Sequence, residues 1–205
     1  MKTITLAITG ASGMPYAMRL LEMLLAGGHQ VYLVYSQAAQ FVALQEMQLH
    51  LPSKTGEAHR LLVERLGCAP EQLQVFARED WMAPIASGSG AGDAMVVCPC
   101  TMGALAAIAN GLSENLIERA ADVMLKEGRK LVLVPREAPF SAIHLENMLK
   151  LARLGAVILP PNPGFYHQPK QVEDLVDFVV AKILDQLGVE HQLVEKWGSV
   201  ALPDL

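Results

Sequence analysis

Short apolar runs and helix-period stretches take turns along the whole chain. Ile4–Ile8 is apolar apart from Thr5. The stretch from Pro15 to Ala26 repeats apolar residues every three to four positions and stops at Gly27-Gly28. The alternation then continues. A strand is expected at Val31–Tyr35, a helix at Ala38–Met47, a helix at Glu57–Leu66 after the Pro52-Ser53-Lys54 loop, and a weaker strand at Leu73–Phe76. Strand Ala94–Cys98 precedes a helix that starts near Met102 and breaks at Asn110-Gly111, and a stronger helix spans Glu114–Glu127. Strand Lys130–Val134, helix Ser141–Leu154, strand Ala156–Leu159 and helix Val172–Leu187 complete the series. Bare strands alternating with amphipathic helices predict a parallel sheet covered on both faces. The expected fold is therefore α/β, a doubly wound parallel sheet. One domain spans residues 1–187, and residues 188–205 form a C-terminal tail carrying Trp197.

Composition narrows the function classes. Of the 205 residues, 52% are hydrophobic and 18% charged, and the mean hydropathy is +0.28. No window approaches the ~18 consecutive apolar residues of a membrane span. The surplus apolar surface instead predicts subunit interfaces and a homo-oligomer. A net charge of −5 argues against nucleic acid as the main partner. Three cysteines, Cys68, Cys98 and Cys100, form no zinc spacing, and no metal site is expected. The odd count, and a chain that opens directly on a strand, point to a cytoplasmic protein. Cys98 reads as core and Cys100 as a small loop residue.

Candidate chemistry sits at the strand ends. Gly10-Ala-Ser-Gly13 follows the first strand and opens a helix, where glycine backbone amides can close on a phosphate at the positive helix end. Ser12 is either part of that cradle or an N-cap. The spacing is not G-x-G-x-x-G, and the second strand ends in Val34-Tyr35-Ser36 without the acid that a dinucleotide ribose requires. Pro99-Cys-Thr-Met-Gly103 repeats the small-residue and hydroxyl pattern after the fourth strand. The two turns flank the usual switch point of such a sheet, so one ligand with a phosphate and a flat ring can bridge them. The loop at 84–93, rich in Gly and Ser, either lies against that ligand, folds over it as a lid, or is a surface loop. Leu131–Pro139 ends a buried strand with Arg136 and Glu137 between two prolines, which stiffen the turn. That pair is either a surface ion pair or a site for phosphate handling and proton transfer.

Arg119 and Lys126 lie two turns apart on one helix with Asp122 between them. They form a solvated, ion-paired face or, among apolar neighbours, a pair that needs an anion. Tyr166 can reach a phosphate, and His167 is an acid–base candidate or a packing residue. Lys182 sits in an apolar stretch, where it snorkels or meets an anion. Trp81 and Trp197 fall outside regular elements, as ligand covers or packing anchors.

Six segments together resemble the UbiX/Pad flavin prenyltransferases: Thr9-Gly-Ala-Ser-Gly13, Cys98-Pro-Cys-Thr, Asn115-Leu-Ile-Glu-Arg-Ala-Ala-Asp122, Leu133-Val-Pro-Arg-Glu-Ala-Pro139, His144-Leu-Glu-Asn-Met-Leu149 and Gly164-Phe-Tyr-His-Gln-Pro169. The similarity covers nearly the whole chain. It implies a Rossmann-like three-layer flavoprotein that joins the dimethylallyl group of dimethylallyl phosphate to reduced FMN, across N5 and C6. The product, prenylated FMN, serves UbiD-type decarboxylases in ubiquinone biosynthesis. The resemblance further implies a metal-independent homododecamer with active sites at subunit interfaces. Gly10, Ala11, Ser12, Ser36, Thr101, Met102, Gly103, Ala104 and Arg136 would hold FMN. Lys126, Glu137, Tyr166 and Lys182 would surround the prenyl phosphate, supported by Arg119, with Trp81 and Trp197 lining the prenyl pocket. Glu46 would lie near the flavin edge. Glu137, Lys126, Glu46 and Ser12 are the catalytic candidates, and Glu137, Glu46 or the phosphate itself would take the C6 proton.

Thr101 stands where many relatives have Ser, and Lys182 where several have Arg. Lys at that position keeps the charge and loses the bidentate fork. Three rival functions remain: a flavin-dependent cysteine decarboxylase, a hydroxybenzoate decarboxylase and a non-enzymatic FMN carrier. The first carries Pro-Ala-Ser-Ala-Asn-Thr where this chain has Pro99-Cys-Thr-Met-Gly-Ala, and a Pro-x-Met-Asn clamp that is missing from this chain.

Overall fold

The computed structural model describes residues 1–195. Six parallel strands, β1 (Thr3–Ile8), β2 (Gln30–Tyr35), β3 (Leu73–Phe76), β4 (Ala94–Cys100), β5 (Lys130–Pro135) and β6 (Val157–Ile158), lie in the order β3-β2-β1-β4-β5-β6. The chain winds outward from β1 in both directions, so the switch point falls between β1 and β4. Helices α1 (Met14–Ala26), α2 (Gln37–Met47), α3 (Thr55–Leu66), α4 (Met102–Ala109), α5 (Leu116–Lys126) and α6 (Ala142–Arg153) lie in the crossovers, and α7 (Val172–Leu187) follows the last strand.

Strand alternation splits the core in two. Ile4, Leu6 and Ile8 of β1 pack with Leu21 and Leu24 of α1 and Val180 and Ile183 of α7. Ala7 points the other way, to a second core that Leu105 of α4, Val123 of α5 and Leu151 of α6 share with Met95, Val97 and Leu133. The doubly wound, three-layer expectation holds. Element ends differ from the sequence reading by a residue or two. Strand β4 runs on to Cys100, with an irregularity in its pairing to β5 between Val97 and Cys100. Cys100 is therefore a fully buried strand residue and not a loop residue. Burial pushes the thiols of Cys98 and Cys100 up, so neither is a ready nucleophile. No helix among the described residues is long and apolar enough to cross a membrane.

Candidate active site at the carboxyl edge of the sheet

The turn after β1 differs from its expected form. A Cβ on Gly10 would stand 2.4 Å from the Cβ of Ala38, so glycine is needed there because α2 packs against the turn. Gly13 has φ 127 and is the N-cap of α1, which overturns the N-cap alternative for Ser12. The backbone N–H groups of Gly13 and Met14 both donate to Oε2 of Glu46, at 3.0 and 2.8 Å. A carboxylate of the chain itself thus occupies the positive end of α1, where the sequence reading had put a ligand phosphate. Glu46 sits in the last turn of α2, which begins at the end of β2. Helix α2 therefore lies across the carboxyl edge, and both of its ends stay near β1. Ser12 is exposed.

Ser36 and Thr101 take matching positions. The hydroxyl of Ser36 accepts from Ala39 N (3.1 Å) and caps α2. The hydroxyl of Thr101 accepts from Ala104 N (3.1 Å) and caps α4. Thr9, which heads the Thr9–Gly13 segment but has no role assigned from sequence, ties the two turns together. Thr9 is 4% exposed. Its hydroxyl donates to the Pro99 carbonyl (2.8 Å) and accepts from Thr101 N (2.8 Å). The signal was legible as a hydroxyl at the end of a largely apolar strand, next to Gly10. Gly103, in the first turn of α4, faces open space. The amide-rich start of α4 is accordingly the better anion seat of the two helix ends, and Met102, Gly103 and Ala104 line it.

Arg136 reaches back over this seat. Its N–H bonds the Cys100 carbonyl (3.2 Å), and its Nε donates to the Ser12 carbonyl (3.3 Å). The structure thus brings Arg136, the β1 turn and the β4 turn together at the switch point. Glu137 is exposed beside them, accepting only from the adjacent Ala138 N (3.1 Å) among the described contacts.

A second cluster follows β6, centred on Phe178, which the sequence reading also missed. His167 stacks on its ring (5.1 Å between centroids, 14° between planes), and Tyr166 meets it edge-on at 5.6 Å. The Nζ of Lys182, one helical turn on, lies 5.7 Å from the ring centre and 3.6 Å from Oδ2 of Asp185. Neither His167 ring nitrogen has a hydrogen-bond partner among the described residues, which supports the packing reading of that side chain. The i, i+4 spacing of Phe178 and Lys182 was the available clue.

The structure keeps the charged helix away from these groups. Lys126 ends α5 at the amino edge of the sheet, four residues before β5 begins, whereas Arg136 and Glu137 follow the end of β5. A six-residue strand at ~3.3 Å per residue puts roughly 20 Å between them. Nor does Arg119 lack an anion. Its Nε donates to the Ala86 carbonyl (2.9 Å) and its Nη1 to Oδ2 of Asp122 (3.0 Å). Lys126 pairs with Glu127. The 84–93 loop belongs to the same amino edge and is pinned there, not lid-like. Arg129 donates to the carbonyls of Gly92 (2.8 Å) and Gly88 (3.0 Å), and Ile85 is fully buried. Trp81, 48% exposed, lies in the loop after β3. Trp197 lies outside the described residues.

Comparison with known proteins agrees with this architecture. The family model Flavoprotein matches residues 1–184. The flavin prenyltransferase UbiX of Pseudomonas aeruginosa is 59% identical over 196 residues, covering 96% of this chain and 94% of that protein. The flavin prenyltransferase UbiX of Methanocaldococcus jannaschii is 45% identical, covering 96% and 99%. Among solved structures, the dodecameric FMN-dependent UbiX-like decarboxylase from Escherichia coli O157:H7 superposes with a TM-score of 0.85 at 40% identity, covering 96% and 100%. AnUbiX (PadA1) in complex with FMN and dimethylallyl pyrophosphate gives 0.86 at 39%, covering 98% and 99%. The flavin-dependent cysteine decarboxylase TvaF, at 18% identity, 0.58 and coverage of 92% and 99%, shares the fold alone. The protein is a flavoprotein by fold and by family model. Within that class, the chain belongs to the UbiX flavin prenyltransferase family.

Proposed function

We propose that this protein is a metal-independent flavin prenyltransferase that transfers the dimethylallyl group of dimethylallyl phosphate to reduced FMN. The observation that carries this reading is the convergence of the β1 turn, the Thr101-capped start of α4 and Arg136 at the switch point, in a chain 59% identical to a flavin prenyltransferase. The cysteine decarboxylase rival rests on a neighbour of 18% identity. A carrier would have no use for the Tyr166–Phe178–Lys182 cluster.

In this reading Gly10, Ala11, Ser12, Ser36, Thr101, Met102, Gly103 and Ala104 would cradle FMN, and Arg136, bonded to the Ser12 carbonyl, would hold it from the β5 side. Reduced FMN, when bound, supplies the nucleophile. Tyr166 and Lys182 hold the prenyl phosphate and stabilise the departing oxygens. Lys126, supported by Arg119, does the same from a second copy of the chain, because its own copy keeps it at the far edge of the sheet. Trp81 and Trp197 give an allylic cation an aromatic wall that does not trap it. Glu137 accepts the proton lost on ring closure. Glu46 suits that role less well because two backbone amides already hold its carboxylate. Like the dodecameric relative from Escherichia coli, the chain assembles into a homododecamer. The product, prenylated FMN, passes to a UbiD-type decarboxylase of ubiquinone biosynthesis in the cytoplasm.

The test is anaerobic. Protein, reduced FMN and dimethylallyl phosphate are mixed, and the released flavin is weighed by mass spectrometry. A prenylated flavin is expected. FMN bound but unmodified would favour the carrier, and decarboxylation of a hydroxybenzoate by the protein alone would favour the decarboxylase.

A further inference from the structure

Helix α6 buries only Met148 and Leu151. On the flank beside them Leu145 is 53% and Leu149 50% exposed, and Ala142 and Ala152 are exposed with them. These four residues are spaced three, four and three apart. That is the a/d seam of a heptad repeat, which on a helix faces another helix. Ile143 and Leu154, on and just after the same helix, are exposed as well, so the seam runs through a wider apolar face of the kind that marks an interaction surface.

The order along the seam, Ala-Leu-Leu-Ala, reads the same in both directions. That identifies the occupant. When the same seam is laid against itself antiparallel, Leu145 falls beside Leu149 of the other copy and Ala142 beside Ala152, so large meets large and small meets small at every layer. Such self-complementarity is what a two-fold, isologous contact requires. Beside the seam is a hollow of about 360 Å³ lined by Glu146, Leu149, Lys150, Arg153 and Leu154.

We propose that two copies of this chain dock through α6, antiparallel about a two-fold axis, with Leu145 and Leu149 at the centre of the contact. The proposal rests on the multi-copy assembly proposed above and names one of its surfaces. Helix α6 begins directly after the Arg136–Pro139 corner, so this contact also braces the segment that carries Glu137.

The test uses the full chain. Native mass spectrometry of the unaltered protein first establishes the assembly, and a monomer there would overturn both the assembly and this contact. Leu149→Glu places a carboxylate in the seam. A smaller assembly with an unchanged circular dichroism spectrum is expected, and an unchanged mass overturns the proposal. Should that variant not fold, cross-linking decides. In a Cys68→Ser background, the double variant Ala142→Cys/Ala152→Cys should form a disulfide-linked dimer on oxidation, and neither single variant should. A folded, assembled double variant that does not cross-link would remove the antiparallel α6 contact, while leaving prenyl transfer, assayed separately, untouched.

Discussion

Glu46 shows how a single side chain can change the reading of a site. The sequence offered it as an acid near the flavin, and the structure uses its carboxylate to hold two amides at the start of α1. Glu46→Ala leaves those donors uncapped, and a loss of about 1–2 kcal/mol in urea denaturation is expected. Glu46→Gln keeps one oxygen acceptor and should lose less. Equal stability in all three proteins would show that the cap contributes nothing. Tyr35 carries a second residue-scale consequence. Its hydroxyl donates to the Pro52 carbonyl, and burial pushes the phenol up from 10.0 to about 12. The folded state thus holds this proton more tightly than the unfolded chain does. The associated stability is complete below pH 10 and is lost as pH rises from 10 to about 12. Denaturation midpoints at pH 9 and pH 11 should fall further for the native protein than for Tyr35→Phe. Parallel falls would exclude Tyr35 as the source.

At the scale of elements, the Arg136 segment joins three strand ends. Its guanidinium crosses from β5 to the Ser12 carbonyl through a single Nε bond, a fixed direction that a lysine ammonium does not reproduce. Arg136→Lys keeps the charge and should weaken FMN binding by about tenfold, the equivalent of ~1.4 kcal/mol, measured by quenching of flavin fluorescence. Unchanged affinity would reassign Arg136 to holding the turn alone. Elements were the most legible part of the sequence, because bare strands and amphipathic helices are written in local periodicity. The turn residues Ser36, Thr101 and Arg136 were legible too, since strand ends in such sheets collect ligands. What stayed hidden depended on distant partners. Glu46 meets Gly13 across 33 residues, and Thr9 meets Pro99 and Thr101 across about 90. The crowding of Gly10 by Ala38 likewise appears only once α2 is folded across the edge. The helix pairing of Arg119 with Lys126 is legible in the sequence, but the copy whose corner it could serve is not. Their shared face is real, but the direction of α5 carries it away from the corner.

The whole molecule is where the two edges of the sheet must meet. Lys126 and Glu137 stand at opposite ends of β5, and a single copy cannot place both on one small phosphate. If the site forms between copies, the two residues come from different chains and can be lost separately. Lys126→Ala and Glu137→Gln homo-oligomers should each retain FMN and lose most turnover, about 10²-fold or more for a general base. When the two variants are unfolded, mixed in equal amounts and reassembled, random assortment leaves about a quarter of the sites with both native residues. Activity should then return to roughly that fraction of the native rate, although neither parent is active. The anaerobic flavin-prenylation assay reads this directly. If the site lay within one chain, every site in the mixture would keep one defect, and no activity would return. Recovery thus separates a shared site from a single-chain site without knowledge of which pair of copies forms it.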